Sequence, residues 1–439
     1  MPVWTNASYF FIPFQLREPS RFMAAIRNLE QSGCWTPAEE RILYFMRYVS
    51  DKLDANDTER RQCFRFRLDP AARGRFGLGG PEHVYHIEPL RHVEHQETYP
   101  FHLGEVELFC FRTSVCILSV EISFLNGDPL HVSSGQFYLK KVAKEQVFSP
   151  DSGEQFTLQA LAQRLMDTLG QEMPPVPFFF SVPGSERANV LSRLEVPVQE
   201  SYDRELFYLR RCYNEGYLYQ PDPEADAREI HRPARDTVWG ISAEAAVCLV
   251  CPEQGNEHFL RGAFYRNFKS QYLLMYVLLL YQKYVLYLFL TEVGTGIGTD
   301  LKLLEDYRRR LYDFKTDFVF ARISEVPQYQ DLYDRLLRAF ALDALFDDVQ
   351  EPLAALRNLQ LERDARKQQK RDALVSRMLF VLSLLTGFST LSDGYAAIES
   401  YASPYLSPMW VRGLQYGFAG LVILGLLWGI IAILRADRK

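Results

Sequence analysis

The chain has 439 residues, room for roughly two or three domains by length alone. With 48% apolar and 24% charged residues it is neither a disordered chain nor a collagen-like one. Its 49 basic and 55 acidic residues give a formal charge of -6, so no direct DNA or RNA binding is expected.

The first residues, MPVWTNASYFF, lack a basic stretch followed by an apolar core, so no signal peptide is expected. Residues 7–16 read as a strand. Residues 20–54 carry helical spacing, with Thr36-Pro37 and the acidic Glu39 and Glu40 as a helix start. Strand-like runs follow at 63–69, 84–90, 107–125 and 136–142. The 107–125 run alternates on both sides of Arg112-Thr113-Ser114, as a hairpin or as one bent strand. Asn126-Gly127-Asp128-Pro129 reads as a turn, 156–169 as an amphipathic helix, and 176–182 and 236–251 as strands. Residues 1–257 are therefore expected to form an α+β cytoplasmic domain.

Residues 258–352 read as a cytoplasmic helical region, with helices at 258–292, 301–320 and 329–346 and a glycine-rich break at 294–300. Segment 271–291 is apolar enough to suggest a membrane span, but Gln282 and Lys283 interrupt its middle. A central lysine costs about 2.5–3.5 kcal/mol on the insertion scale, so a buried soluble helix is expected there.

The last 65 or so residues have a membrane composition. Segment 413–434 has no charge and is read as transmembrane helix 2. The weaker segment 378–396 is read as transmembrane helix 1, preceded by a stalk helix at 353–377. An external loop at 397–412 and a cytoplasmic basic tail at 435–439 complete the layout. Arg363, Arg366, Lys367, Lys370, Arg371 and Arg377 precede the first span, and Arg435, Arg438 and Lys439 follow the second. The positive-inside rule then puts both termini in the cytoplasm, with the lipid bilayer as a partner. Tyr395, Tyr401, Tyr405, Trp410 and Tyr416 suit an interfacial aromatic belt.

This layout includes the FRTSVCILSVEISF strand pair, the aromatic helix YLLMYVLLLYQKYVLYLF, and ISEVPQYQDLYDRL ahead of the stalk. It resembles the CorA-like divalent-cation channel superfamily. The family's transporters carry Gly-Met-Asn at the outer end of the first span; here the place reads TLSDGYAAIESY. The resemblance implies a homo-oligomer, a pentamer, in a bacterial inner membrane. The missing motif implies kinship with the members that act as membrane effectors in anti-phage defence, type III CRISPR included. A small nucleotide signalling ligand would act on the cytoplasmic domain of such an effector. The resemblance also makes Asp343, Asp347, Asp348 and Glu351 candidates to hold a regulatory Mg²⁺ at a subunit interface, a hard ion suited to oxygen ligands, with a solvated helix face as the competing and favoured reading.

On the first span Ser376, Ser383, Thr386, Thr390 and Asp393 recur on one helix face. Around an oligomer axis this stripe would line a water-filled path, with Asp393 drawing cations to the mouth and Leu379 as an apolar constriction. The competing reading is that the hydroxyls bond back to their own helix. On the second span Gly413/Gly417 and Gly425/Gly429 are small-xxx-small pairs that allow close helix approach.

Other signals are weaker. Cys248 and Cys251 form a lone CxxC, read as two small residues on a buried strand. His83, His86, His92, His95 and His102 crowd one region but lack ligand spacing for a strand. No serine–histidine–carboxylate set or P-loop is visible, so no enzyme is expected. The alternatives to a gated channel are a Mg²⁺ transporter and a two-span anchored interaction protein without a pore.

Overall fold

The computed structural model describes residues 6–38, 42–53, 61–87, 98–149, 153, 155–294, 301–402 and 404–436. The chain divides into two compact units, Met1–Pro352 and Leu353–Lys439. The first is a sheet domain covered by helices, and long apolar helices follow it in the chain.

The strands are β1 (Asn6–Gln15), β2 (Trp35–Pro37), β3 (Cys63–Leu68), β4 (Val84–Ile87), β5 (Phe101–Phe111), β6 (Val115–Phe124) and β7 (Gln146–Phe148). They continue with β8 (Gln155–Thr157), β9 (Val176–Pro177), β10 (Asn189–Glu195), β11 (Ile230–Ala234), β12 (Thr237–Ile241) and β13 (Ala245–Val250). They join in the order β11-β12-β13-β10-β1-β6-β5-β4-β7-β8, with β3 also on β5, β2 on β3, and β9 on β1. The β10–β13 pair is parallel and the others are antiparallel.

Strands β1, β6 and β13 are buried along nearly their whole length, because both faces of the sheet are covered. One face carries Phe10, Ile12, Leu118, Val120 and Val190 into a core shared with α1 (Phe22–Gln31), α3 (Pro129–Leu139), α4 (Leu158–Met166) and α5 (Asp203–Leu209). Two further short helices are α2 (Arg47–Leu53), between α1 and α3, and α6 (Pro223–Glu229), after α5. The other face meets a helix built of α7 (Glu257–Phe259), a π turn (Leu260–Phe264), α8 (Tyr265–Asn267), a second π turn (Phe268–Tyr272) and α9 (Leu273–Gly294). Phe111 stacks on Tyr281 with centroids 3.7 Å apart, and the Tyr276 hydroxyl donates to the Val190 carbonyl. α10 (Leu301–Phe318) and α11 (Pro327–Ala339) also pack on α9, α10 through Phe318 on Tyr281 and the Gln282 amide on the Phe318 carbonyl.

The apolar segment 271–291 is thus the buried helix expected from Gln282 and Lys283: helix Glu257–Glu292 is 89% buried in the window where it is most apolar. The 107–125 run is a hairpin, turning at Ser114 with φ 70°. Four expectations are corrected. Residues 136–142 are not a strand but lie in and just beyond α3: Asp128 caps Leu130 and His131 N–H groups, and Pro129 starts the helix where a missing N–H costs nothing. Thr36-Pro37 does not start a helix but lies in β2, after Gly33 at φ 63° has ended α1; Glu39 and Glu40 fall outside the described residues. Of 176–182, only Val176–Pro177 is strand, since Phe178 turns the chain at φ 44°. The helix expected at 329–346 breaks at Ala341, φ 52°, and its last residues begin α12 (Leu342–Ala402).

α12 runs on through the whole stretch read as stalk and first span. α13 (Pro408–Ala436) starts only six residues later, so most of the segment read as a loop at 397–412 is helical.

Candidate functional site

Among the described residues three helices are long and apolar enough to cross a membrane: Glu257–Glu292, Asp364–Ala402 and Pro408–Gly429. The first is interior to the sheet unit; the other two are 0% and 6% buried in their apolar windows. Leu382, Leu385, Phe388, Leu421, Leu424 and Trp428 present large apolar surfaces that are exposed among the described residues. Such a contiguous surface calls for lipid or protein around it.

α12 and α13 form an antiparallel pair. Phe380, Leu384, Gly387, Leu391, Gly394 and Ile398 are half-buried on the α12 span, at spacings of 4 and 3, with Tyr395 half-buried beside them. On α13 Val411, Gln415, Phe418, Val422, Leu426 and Gly429 are covered, again 4 and 3 apart, with Ala419 and Gly420 half-buried beside Phe418. This is the 3.5-residue repeat of a coiled-coil seam. Gly387 faces Leu426 and Gly394 faces Phe418. The Gln415 side-chain amide points to the Tyr395 carbonyl at 3.5 Å. The glycines that permit close approach are therefore Gly387 and Gly394 on α12. Gly413, Gly417, Gly425 and Gly429 have open space where a Cβ would stand, which corrects the sequence expectation within one copy. The signal was present as small residues seven apart, one heptad.

Ser376, Leu379, Ser383, Thr386, Thr390 and Asp393 are all exposed and lie together on one side of α12. At about 100° per residue their mean direction is roughly a quarter turn from the seam. α13 does not cover them. Ser383 Oγ donates to the Leu379 carbonyl at 2.9 Å, Thr386 Oγ1 to Leu382 at 2.9 Å and to Ser383 at 3.0 Å, and Thr390 Oγ1 to Thr386 at 2.8 Å. Each of these hydroxyl protons is held by the helix, while the oxygen keeps lone pairs. Ser389, which was not assigned to the stripe, reaches toward Asp393 Oδ2 at 3.5 Å.

Asp343, Asp347, Asp348 and Glu351 sit exposed on the first turns of α12. Asp343 and Asp347 edge a cavity of about 250 Å³ that also holds Lys315, whose ammonium stands 4.8 Å over the Phe346 ring. Among the described residues no group of three His, Cys, Asp or Glu side chains is arranged to hold a metal ion. His83 pairs with Ser149 Oγ at 2.7 Å and His102 with the His83 carbonyl at 3.1 Å, while His92 and His95 lie outside the described residues. Cys248 within β13 and Cys251 just after it are buried, free thiols, and burial pushes both upward in pKa, away from a reactive thiolate. Of the glycine-rich break only Gly294 is described, as the last residue of α9.

Compared with family models, with curated proteins and with solved structures, the chain matches none.

Proposed function

We propose that the chain is a homo-oligomeric membrane channel of the CorA-like kind, a pentamer by that resemblance, in which α12 and α13 supply the two spans. The sheet unit and both termini are cytoplasmic in this reading, and a ligand of the sheet unit opens the path. The role assigned is signal-gated loss of the membrane barrier in anti-phage defence.

One observation carries the reading: a hydroxyl stripe ending in Asp393 stays bare on an apolar helix whose seam with α13 is already filled. Polar groups facing lipid are costly, and copies arranged about an axis turn them to water instead. The back-bonds fit this use. A hydroxyl that donates its proton to the helix presents its oxygen outward, as a passing cation requires. Leu379 is the apolar member of the same stripe and supplies a constriction that closes by dewetting.

The same back-bonds favour a second reading. Hydroxyls satisfied by their own helix need no water, and the hairpin then only anchors the sheet unit. Liposomes carrying purified protein separate the two. Leu379→Asn, which wets the constriction, is expected to leak cations without any ligand, and adding Thr386→Leu with Thr390→Leu to it to abolish the leak at unchanged oligomer size. Tight liposomes with Leu379→Asn in an intact oligomer would overturn the channel in favour of the anchor.

A further inference from the structure

A cavity of about 240 Å³ opens where the sheet meets the helix of α7 to α9. Three local departures from regular structure build it. β5 pairs with β6 at Leu103–Ile122 and again at Val106–Val120, so Gly104 and Glu105 together oppose Glu121. This is a β-bulge, a device that re-aims a side chain. Gly104 leaves room for the Glu121 carboxylate, since a Cβ there would stand 2.7 Å from Oε2. Across the cavity, Tyr265 sits between the two π turns and Lys269 on the second. Such turns are rare and concentrate at functional sites.

The two carboxylates differ in how well they are satisfied. Glu121 is 3% exposed and fully engaged. It accepts from the Tyr9 hydroxyl at 3.0 Å, the Glu105 N–H at 3.0 Å and Lys269 Nζ at 3.1 Å. The Glu105 carboxylate is only 17% exposed, yet its nearest cations stand at 3.4 Å (Lys269) and 3.7 Å (Arg67). Both exceed good hydrogen-bond length. Arg67 is held by Glu107 at 2.9 Å, and Arg73 gives its guanidinium to the carbonyls of Gly79, Leu103 and Gly104. Lys269 is thus shared between Glu121 and Glu105, and with Glu82 at the rim the cavity is lined by three carboxylates and three cations, Arg67, Arg73 and Lys269. Burial opposes the Lys269 ammonium, but Glu121 and then Glu105 outweigh it and hold the group protonated. A sheltered carboxylate short of donors favours an N–H cation and disfavours an anion. The remaining wall is apolar: Leu68, Pro70, Pro81, Val106 and the Tyr265 ring.

We propose that this cavity binds a small organic amine. Its ammonium donates to Glu105 beside Lys269, and its apolar body lies along Pro70 and Tyr265. A metal ion is not the occupant proposed, because the described carboxylates do not form a set of three around one point. The inference concerns the sheet unit and does not rest on the channel reading.

The test is calorimetric titration of the full chain in detergent with phenethylamine, its neutral analogue 2-phenylethanol, and phenylacetate. Phenethylamine is expected to bind, 2-phenylethanol about 10- to 100-fold more weakly, and phenylacetate not at all. Glu105→Gln should bring the amine down to the level of the alcohol. Pro81→Trp, at an exposed rim position that leaves the core untouched, should exclude amine and alcohol alike. Equal affinity for amine and acid, undiminished amine binding by Glu105→Gln, or no amine binding by the unaltered chain overturns the proposal.

Discussion

Gly394 and Phe418 occupy the same space by turns: the phenylalanine ring of α13 fills the position where any larger residue of α12 would put its Cβ. Gly387 stands one heptad earlier, with Leu426 Cδ1 at 3.2 Å from its notional Cβ. Overpacking of this kind costs typically about 1–3 kcal/mol. Gly394→Ala is expected to loosen the hairpin by that order, and Phe418→Ala to restore it in the double variant. Cysteines placed at 387 and 426 should cross-link readily in the unaltered hairpin and slowly in Gly394→Ala. Equal cross-linking rates would show that the seam does not depend on the glycine.

A second prediction concerns an asymmetric ion pair on β10. Arg193 is fully buried, and one nitrogen, Nη2, serves both Glu195 at 3.1 Å and the Leu260 carbonyl at 3.2 Å. Its Nε and Nη1 lack hydrogen-bond partners, although the guanidinium lies 5.0 Å over the Tyr265 ring. Glu195 has a second partner in Arg261 at 2.8 Å. Removing Glu195 strands a buried cation, which costs about 3–5 kcal/mol, whereas removing Arg193 leaves Glu195 paired. Urea unfolding followed through Trp239 fluorescence should show Glu195→Ala far more destabilised than Arg193→Met. Equal losses would mean that the two charges act only as a pair.

Ala341 offers a cleaner backbone test. It links α11 to α12 in the left-handed region at φ 52°, exposed, with its N–H on the Arg338 carbonyl at 3.0 Å. A Cβ is disfavoured there by about 1–2 kcal/mol, partly offset by the extra freedom glycine has when unfolded. Ala341→Gly should therefore raise the unfolding midpoint by an amount worth up to about 1 kcal/mol, and Ala341→Val should lower it. A midpoint lowered by glycine would indicate that the junction is held by rigidity and not by a left-handed turn.

The sequence was most legible where one physical pattern ruled a segment. β1 stands where the 7–16 run reads as a strand, the 107–125 run resolves into the β5–β6 hairpin, and the segment interrupted by Gln282 and Lys283 is a buried helix. It was least legible where two patterns competed. QFYLKKV is apolar enough for a strand, but the Asp128-Pro129 cap upstream had already set a helix running. The hydroxyl stripe was readable from spacing, whereas the seam that leaves it bare needed the partner helix. The cavity beside Glu105 was hidden differently. Its clue is a break in period, with core residues Leu103 and Val106 three apart on one strand, and a single slip reads as noise until β6 is paired beside it.

Lys283 itself predicts a pH dependence. It lies mid-helix on α9, its ammonium 5.0 Å over the Phe340 ring and 3.4 Å from the Ala243 carbonyl. Burial pushes its pKa down to about 8, against the weaker opposing pull of Glu244. In the unfolded chain a lysine titrates near 10.4. Between these values the unfolded state holds a proton that the folded state has released, so stability rises with pH across that window. Below about pH 8 both states are protonated and the folded state carries the full penalty. Each unit of displacement is worth about 1.4 kcal/mol, and the partial exposure of this side chain leaves a fraction of that. Unfolding free energies of the unaltered chain and of Lys283→Met, measured from pH 7 to 10.5, should therefore converge as pH rises, with the methionine form the more stable at neutral pH. Curves that run parallel through the window would mean that the ammonium reaches water in the folded protein.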